Sequence, residues 1–401
     1  MRIAVIGAGA SGLACAVAVS KSNPEVVVDI YEKNSRVGKK ILATGNGRCN
    51  LTNLNAAREG YRNIKFASYA LEEFSPESNI EFFNSLGLFT RTDSEGRVYP
   101  LSNQASSVLD ALYLYLSDQK NVNILTDVSV DTILKRNNTF IINSKYKADK
   151  VVISCGGKAA PSQGSDGSGY LLLKSLSHSV TDVYPGLVQM TVSQTSFVKA
   201  LKGVRCQVNM ALVNGRELIA EKQGELLFTD YGLSGIVSME ISSHLPHCGG
   251  NAVVLTDFVP SMERTCLISN MKKVIRDNPS IKCENLLSGF MPKKLGQLIL
   301  KENSVSPLTP AVKLTNKELS ALVSLVKCFG FTINGTKDFE SAQVTLGGAD
   351  TDGFDRKTLE SKRVPGLYCA GEILDVDGDC GGYNLNWAWS SGRLVARSII
   401  E

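Results

Sequence analysis

The spacing of apolar positions changes character several times along the chain. Residues 3–6 form a short, unbroken apolar run, the pattern of a parallel strand buried on both faces. Small and apolar residues over 11–20 then predict a helix, and after Asn23-Pro24 residues 26–31 predict a second strand. Further strands are expected at 122–125, 140–142 and 151–154, and a short buried one within 364–371. The run 381–396 reads as a helix. Between 187 and 259 the runs are short and strand-like: 207–213 and 216–220 flank Asn214-Gly215, a hairpin turn. From Met262 to about Phe329 the period becomes helical, with Leu267, Met271 and Ile275, then Leu319, Leu322, Val323 and Val326.

The first strand runs into Gly7-Ala8-Gly9-Ala10-Ser11-Gly12. Gly7 permits the tight turn, Gly9 lets backbone approach a pyrophosphate, and Gly12 lets the helix sit close to the sheet. The helix then directs its unsatisfied N–H groups and positive dipole end at the phosphates. The second strand ends at Glu32, twenty residues beyond Gly12. A carboxylate there accepts ribose hydroxyls and repels a 2′-phosphate. Strand, glycines, helix, strand and acid in register predict a dinucleotide site. A secretory leader is the rival reading, since residues 3–20 are uncharged behind Arg2. Three glycines at fingerprint spacing, running into a charged strand-turn pattern, argue against it. No other stretch reaches the roughly eighteen apolar residues a membrane span needs.

Composition narrows the class further. A chain of 401 residues exceeds one comfortable core, so two or three domains are expected. The net charge of +4 arises from interspersed signs with no basic block, which gives no pointer to nucleic acid or membrane. Ten cysteines lie singly with no CxxC pair, suggesting buried thiols in a reducing cytoplasm. His178, His244 and His247 build no metal site: His244-x-x-His247-Cys248 lies among Ser, Pro and Gly without a carboxylate. No metal is expected.

Residues 38–53 concentrate small, amide and hydroxyl side chains without helical or strand period. Lys39, Lys40, Thr44, Gly45, Asn46, Arg48, Cys49 and Asn50 form a loop suited to cradling phosphate and heterocycle edges. Arg48 is the sole cation of 44–53, and its guanidinium can grip phosphate or a ring edge bidentately. The amides of Asn46 and Asn50 are candidates to orient the ring or a substrate carbonyl, which makes Asn50 a catalytic candidate.

The string LATGNGRCNLTN, following GAGASG, closely resembles the bacterial flavoprotein family described as BaiN-like or aminoacetone-oxidase-like. The resemblance continues through 151–158, 162–170, 366–378 and 381–393, and so spans the chain. It implies an α/β fold: a two-part Rossmann-like FAD-binding domain of the glutathione-reductase type, with an inserted small β-barrel and helical substrate region. The implied boundaries are 1–188 and 336–401 for the FAD-binding parts, and 189–335 for the insert, with the barrel at 189–260 and helices at 261–335. FAD would be held non-covalently. The cofactor set implied is Gly7, Gly9, Ala10, Ser11 and Gly12 at the first turn, then Glu32, Lys33 and Val128. The loop adds Lys40, Thr44, Gly45, Asn46, Arg48, Cys49 and Asn50. Gly156, Gly371, Glu372, Gly381, Gly382, Tyr383 and Asn384 complete it, with the last helix facing the flavin pyrimidine edge.

One departure stands out. The family often carries Thr-His-x-Gly-x-Ser-Gly-Pro in the insert, where this chain reads Thr229-Asp230-Tyr231-Gly232-Leu233-Ser234-Gly235-Ile236. Asp230 is therefore a candidate acid–base residue, although an ordinary aspartate is a poor acid at neutral pH. The expected activity is that of an FAD-dependent oxidoreductase. NAD(P)H would act as a transient reductant, with hydride passing through flavin N5 to a small molecule. The alternatives are an amine-type oxidase using oxygen, a flavin-dependent RNA-modifying protein, and a flavin-binding regulator. No clustered Lys/Arg face is evident along the sequence, so no nucleic-acid partner and no membrane partner is expected. A disulfide-reductase mechanism lacks its local pair, since Cys49 stands alone and only distant Cys380 could join it. The glycines of 164–169 follow no strand, so no second nucleotide domain is expected. No motif sets the substrate or the oligomeric state.

Overall fold

The computed structural model describes residues 1–56, 60–250 and 252–401. It divides into two compact units, Met1–Pro185 with Ala342–Glu401, and Gly186–Ser341.

The first unit is built on a five-stranded parallel sheet in the order Leu367–Cys369, Lys150–Ile153, Arg2–Ile6, Val27–Tyr31, Val122–Leu125. Register is tight at the centre: Val5 lies beside Val152 and Ile30, and Ile153 pairs onward with Cys369. Ile3, Ala4 and Val5 are fully buried, as a strand covered on both faces requires. The strand near 140 lies outside this sheet, in an antiparallel trio with Ile133–Arg136 and Tyr146–Ala148. The helices Ile64–Glu73, Pro76–Asn84 and Ala105–Ser117 were not read from the sequence. Val108, Leu109, Leu112 and Leu116, all buried, are the helical signal in the third.

Two helices govern this unit, Ala10–Ser22 and Tyr383–Ile400. They cross at a glycine: a Cβ on Gly392 would stand 2.3 Å from the carbonyl oxygen of Ser11. The last helix begins at Tyr383 and not at 381, because Gly381 and Gly382 both hold φ near +104°. Its buried face is unusually polar. Trp389 donates its ring N–H to the carbonyl of Leu51 (2.9 Å), and Trp387 donates to that of Gly371 (3.1 Å). Asn386, fully buried, accepts from the Thr52 hydroxyl (2.8 Å) and the Asn79 amide (2.9 Å). Arg393 donates to Asn79 Oδ1 at 2.8 Å, and burial pushes its guanidinium down to about 10.

In the second unit six strands close a barrel in the order Met190–Val192, Gly232–Ser234, Glu217–Phe228, Arg205–Asn214, Ala252–Asp257, Phe329–Thr336. The closing strand is a correction to the reading of 261–335 as helical. Its buried Phe329 and Phe331 alternate with exposed residues, a period of two hidden at the end of a helical run. Phe197 stacks on Phe329 with ring centroids 4.7 Å apart, and Phe228 and Phe258 complete the aromatic core. The helices Arg264–Asp277, Cys283–Ser288, Lys293–Glu302 and Asn316–Lys327 fall between the last two barrel strands. Among the described residues no helix is long and apolar enough to cross a membrane.

Gly392→Ala tests the helix crossing. Overpacking of this kind costs about 1–3 kcal/mol, so the urea midpoint should fall by the corresponding amount. An unchanged midpoint would show that the two helices separate without penalty.

Candidate functional site

The first turn is shaped by backbone crowding on one side and space on the other. A Cβ on Gly7 would lie 2.7 Å from the Ser154 carbonyl oxygen, and one on Gly12 only 2.1 Å from the Gly7 carbonyl oxygen. A Cβ on Gly9 would meet only the Ser154 carbonyl oxygen, at 4.0 Å, leaving a cradle beside the helix start. No side chain caps that helix, so the N–H groups of Ala10, Ser11 and Gly12 remain available to an anion. The Ser11 hydroxyl is engaged elsewhere, donating to the Ala370 carbonyl at 3.1 Å.

Glu32 is 8% exposed and already well used. One carboxylate oxygen accepts from Ala8 N–H at 3.0 Å. The other accepts from the Asn34 backbone (2.9 Å) and carboxamide (2.7 Å). An ionised carboxylate offers about four acceptor positions, so room remains for one further donor rather than a pair of ribose hydroxyls. Val128 joins through its backbone, donating to the Glu32 carbonyl at 2.9 Å.

The remaining cofactor candidates tie distant segments together. Lys33 pairs with Asp166 at 2.7 Å, which anchors the 164–169 glycine segment. Lys40 pairs with Glu372 at 2.7 Å, and Glu372 also accepts from Thr345 N–H at 2.8 Å. The loop between them is bent by left-handed backbone at Gly45, Asn46 and Cys49, each with φ near +55°. Thr44 donates its hydroxyl back to Ile41. The Arg48 guanidinium donates to the Gly45 carbonyl at 3.2 Å and lies 5.1 Å from the Tyr99 ring centroid, exposed, while Asn46 is also exposed. Cys49 is fully buried, and burial pushes its thiol up to about 12, with a hydrogen bond from Thr44 opposing. A thiol held protonated is a poor redox nucleophile, and no disulfide joins it to Cys380.

Two polar atoms here lack partners. Asn50 Oδ1 is buried without a donor, at the edge of Gly382. The Ser165 hydroxyl, also buried and unpaired, faces Gly156. Gly371 (φ +80°) faces Ser11 and donates its N–H to the Ser391 hydroxyl at 2.9 Å. Tyr383 packs against Tyr61 with centroids 5.4 Å apart, and Asn384 brackets Gly378 through both ends of its carboxamide. An ion pair missed by motif reading, Arg62–Asp377, lies beside these groups, with Arg62 Nε 3.0 Å from Asp377 Oδ1. Burial raises the Asp377 carboxyl to about 6 against the pull of Arg62.

Asp230 belongs to the other unit. It is exposed and bonded to Lys202 at 2.6 Å, which holds its carboxyl below the usual range. Such a group stays ionised at neutral pH and donates no proton. Among the described residues no His/Cys/Asp/Glu cluster could hold a metal ion.

An open phosphate cradle, a terminal acid and unpaired buried acceptors suit FAD. The Asn50 oxygen in particular calls for a donor such as a ring imide N–H or a ribityl hydroxyl. Fold and site together define a flavoprotein with a Rossmann-type FAD-binding domain.

Residues 1–398 match the family model described as HI0933-like protein Rossmann domain. The chain is 41% identical over 408 residues to a 3-dehydro-bile acid delta(4,6)-reductase of Clostridium scindens, covering all of this chain and 99% of the relative. It is 28% identical to a ribosomal RNA dihydrouridine synthase of Escherichia coli K12, covering 99% of this chain and 97% of that one. To the synthase of the same name from Haemophilus influenzae it is 30% identical, over 98% of this chain and 97% of the relative. The chain belongs to the HI0933-like family and is an FAD-dependent oxidoreductase.

Replacing Glu32 by Ala removes a charged acceptor and frees the Ala8 N–H. Bonds to charged groups contribute about 1.5–3 kcal/mol, so FAD affinity should fall roughly 10- to 150-fold. Fluorescence titration of the apoprotein reads this, and an unchanged Kd would remove Glu32 from the site. In the native protein at pH 8, Cys266 and Cys328, both exposed, should react first with a thiol reagent. Early loss of Cys49 in peptide mapping would contradict its burial.

Proposed function

We propose that this protein reduces a carbon–carbon double bond conjugated to a carbonyl, drawing its electrons from NAD(P)H. One observation carries the reading. Relatives that match nearly the whole chain are named for a delta(4,6)-reductase acting on a 3-dehydro bile acid and for dihydrouridine synthesis. A 3-keto steroid unsaturated at 4 and 6 is a conjugated dienone. Uridine carries its C5=C6 bond in conjugation with the C4 carbonyl. Both reactions place hydride on the carbon remote from the carbonyl and a proton on its neighbour. The fold is shared, so the common chemistry is the economical reading.

When bound, FAD supplies the hydride transfer through its N5. The chain's own contribution is positioning. The glycine turn and the uncapped helix start hold the pyrophosphate, and Glu32 takes a ribose hydroxyl. The Lys40–Glu372 pair and the indole N–H groups of Trp387 and Trp389 fix the loops on either side. Asn50, with an acceptor in want of a donor, orients the ring or the substrate carbonyl. The described residues contain one five-stranded parallel sheet of Rossmann type, and the second unit is a closed barrel with helices. This favours a nicotinamide that visits transiently rather than one with its own domain. Asp230, held ionised by Lys202, has no place in proton delivery.

Anaerobic mixing with NADH and NADPH should bleach the flavin with at least one of them. Colour should return on adding a conjugated enone or uridine, but not the saturated ketone. Reduction by a primary amine and rapid reoxidation by oxygen alone would replace this reading with an oxidase. Asn50→Ala should slow the flavin-normalised rate about tenfold, the loss of one oriented hydrogen bond, at an unchanged melting temperature. Wild-type normalised rates would end its catalytic assignment.

A further inference from the structure

Three arginines lie on or beside the small antiparallel sheet ordered Thr52–Asn53, Arg97–Pro100, Thr90–Thr92, and only one of them is neutralised. Arg97 pairs with Asp93 at 2.8 Å and with Glu95 at 2.9 Å. Arg91 and Arg48 form no salt bridge among the described residues. Their polar partners are neutral, the Asn103 carboxamide oxygen at 2.7 Å and the Gly45 carbonyl at 3.2 Å. A guanidinium presents several N–H donors in a fixed fork, so most of this capacity is unspent.

Strand register brings the two unpaired charges together. Arg91 stands opposite Tyr99 across the ladder, and its guanidinium carbon lies 5.3 Å from the centroid of that ring. Arg48 reaches the same ring from the neighbouring loop, at 5.1 Å. That loop is tied to the sheet where Leu51 N–H donates to the Val98 carbonyl at 2.8 Å. Tyr99 is 5% exposed, while Arg91 is half-buried and Arg48 exposed. Like charges gathered on one ring repel each other, and attraction to the ring offsets only part of this. A multiply charged anion held by both forks removes the repulsion.

The pair adjoins the flavin-binding elements and belongs to the same unit. A Cβ on Gly45 would stand 3.8 Å from Tyr99 Cε1 and 2.9 Å from the Asn50 backbone nitrogen, so the ring packs against the loop that carries Asn50. Arg97, two residues from Tyr99 and so on the same face of its strand, reaches toward the start of the last helix. Its Cδ lies 3.8 Å from where a Cβ on Gly381 would stand. The chemistry selects the anion. A phosphate monoester carries about two negative charges and three terminal oxygens, which two guanidinium forks can grip from two directions. A diester has one charge and satisfies one fork. Glu32 closes the FAD turn to a 2′-phosphate, so a nicotinamide dinucleotide bearing that group needs cations elsewhere.

We propose that Arg48 and Arg91 bind the 2′-phosphate of NADPH and so anchor the transient reductant. The role in turnover rests on nicotinamide as the electron donor, whereas the binding does not. The holoprotein is therefore titrated with 2′,5′-ADP, which has the monoester and no nicotinamide, and with 5′-AMP and 3′,5′-ADP. The first should bind roughly tenfold or more tighter than 5′-AMP. Arg91→Ala and Arg48→Ala should each remove that preference, the latter measured on FAD-saturated protein. Arg91→Lys, which keeps the charge without the fork, should restore part of it. Flavin content and melting temperature of the Arg91 variants should match wild type. In flavin reduction, Arg91→Ala should raise the ratio of NADPH to NADH half-saturation concentrations by the same factor. Equal binding of 2′,5′-ADP and 5′-AMP overturns the proposal, as does a folded Arg91→Ala protein that keeps the preference. Tighter binding of 3′,5′-ADP than of 2′,5′-ADP also overturns it, since the monoester would then belong to another nucleotide. If the preference depends on Arg91 but neither NADH nor NADPH bleaches the flavin, the binding site is supported and the electron-donor reading fails.

Discussion

The crossing of the first and last helices is the constraint on which the flavin-binding unit rests. Gly392 brings the two backbones together over Ser11, and Ser11 in turn faces Gly371 and bonds Ala370. A residue of the phosphate turn, at the start of its helix, is thus held by residues some 360 positions later. The glycine fixes where the two backbones meet, and polar groups on the same face hold that register: Trp387 and Trp389 each satisfy one particular backbone carbonyl, and Asn386 satisfies both Thr52 and Asn79. A slip of one residue would strand all of them, at about 1–3 kcal/mol for each orphaned group. Apolar area supplies the affinity of this contact, and hydrogen bonds supply its alignment.

That alignment explains a division of labour among the site residues. Many candidates named for cofactor contact spend their side chains on the protein. Lys33, Lys40 and Glu372 are crosslinks between segments, Asn384 braces the turn just before its own helix, and Ser11 is a strut. What faces the cofactor is then largely backbone: the glycine turn, the helix start and the loops that these crosslinks hold still. Side chains with unmet capacity are few, chiefly Glu32, Asn50 and Ser165. Rigid positioning by paired groups, with a small number of unpaired ones aimed at the ligand, is the pattern expected of a preorganised site.

The sequence made local features legible and left distant ones hidden. The turn at Gly7–Gly12 was readable because its spacing, flanking strands and acid lie within thirty-two residues. The parallel strands were readable as apolar runs. The barrel's closing strand was not, since three buried or half-buried positions, Phe329, Phe331 and Ile333, extend the pattern of the preceding helix without a break. Asn386, Asn79 and Arg393 looked like ordinary helix residues, and their partners lie more than three hundred residues away. Residue type also overreached at Arg48, whose guanidinium rests against Tyr99 and its own loop. Signs that mix along the chain say little about which side chains neutralise one another in space.

The order of strands has a consequence for synthesis. The edge strand Leu367–Cys369 and the helix Tyr383–Ile400 follow the whole barrel in chain order, yet both belong to the sheet-and-helix core begun at Arg2. The barrel, by contrast, is complete in sequence once Thr336 has emerged. Domains tend to fold as units in the order of translation. The second unit therefore has all its strands while the first still waits for residues 367–400, and the cofactor fold closes only once these have emerged. A chain stopped between Thr336 and Leu367 would carry a formed barrel and an open dinucleotide fold, so flavin retention reports that synthesis has passed the last helix described.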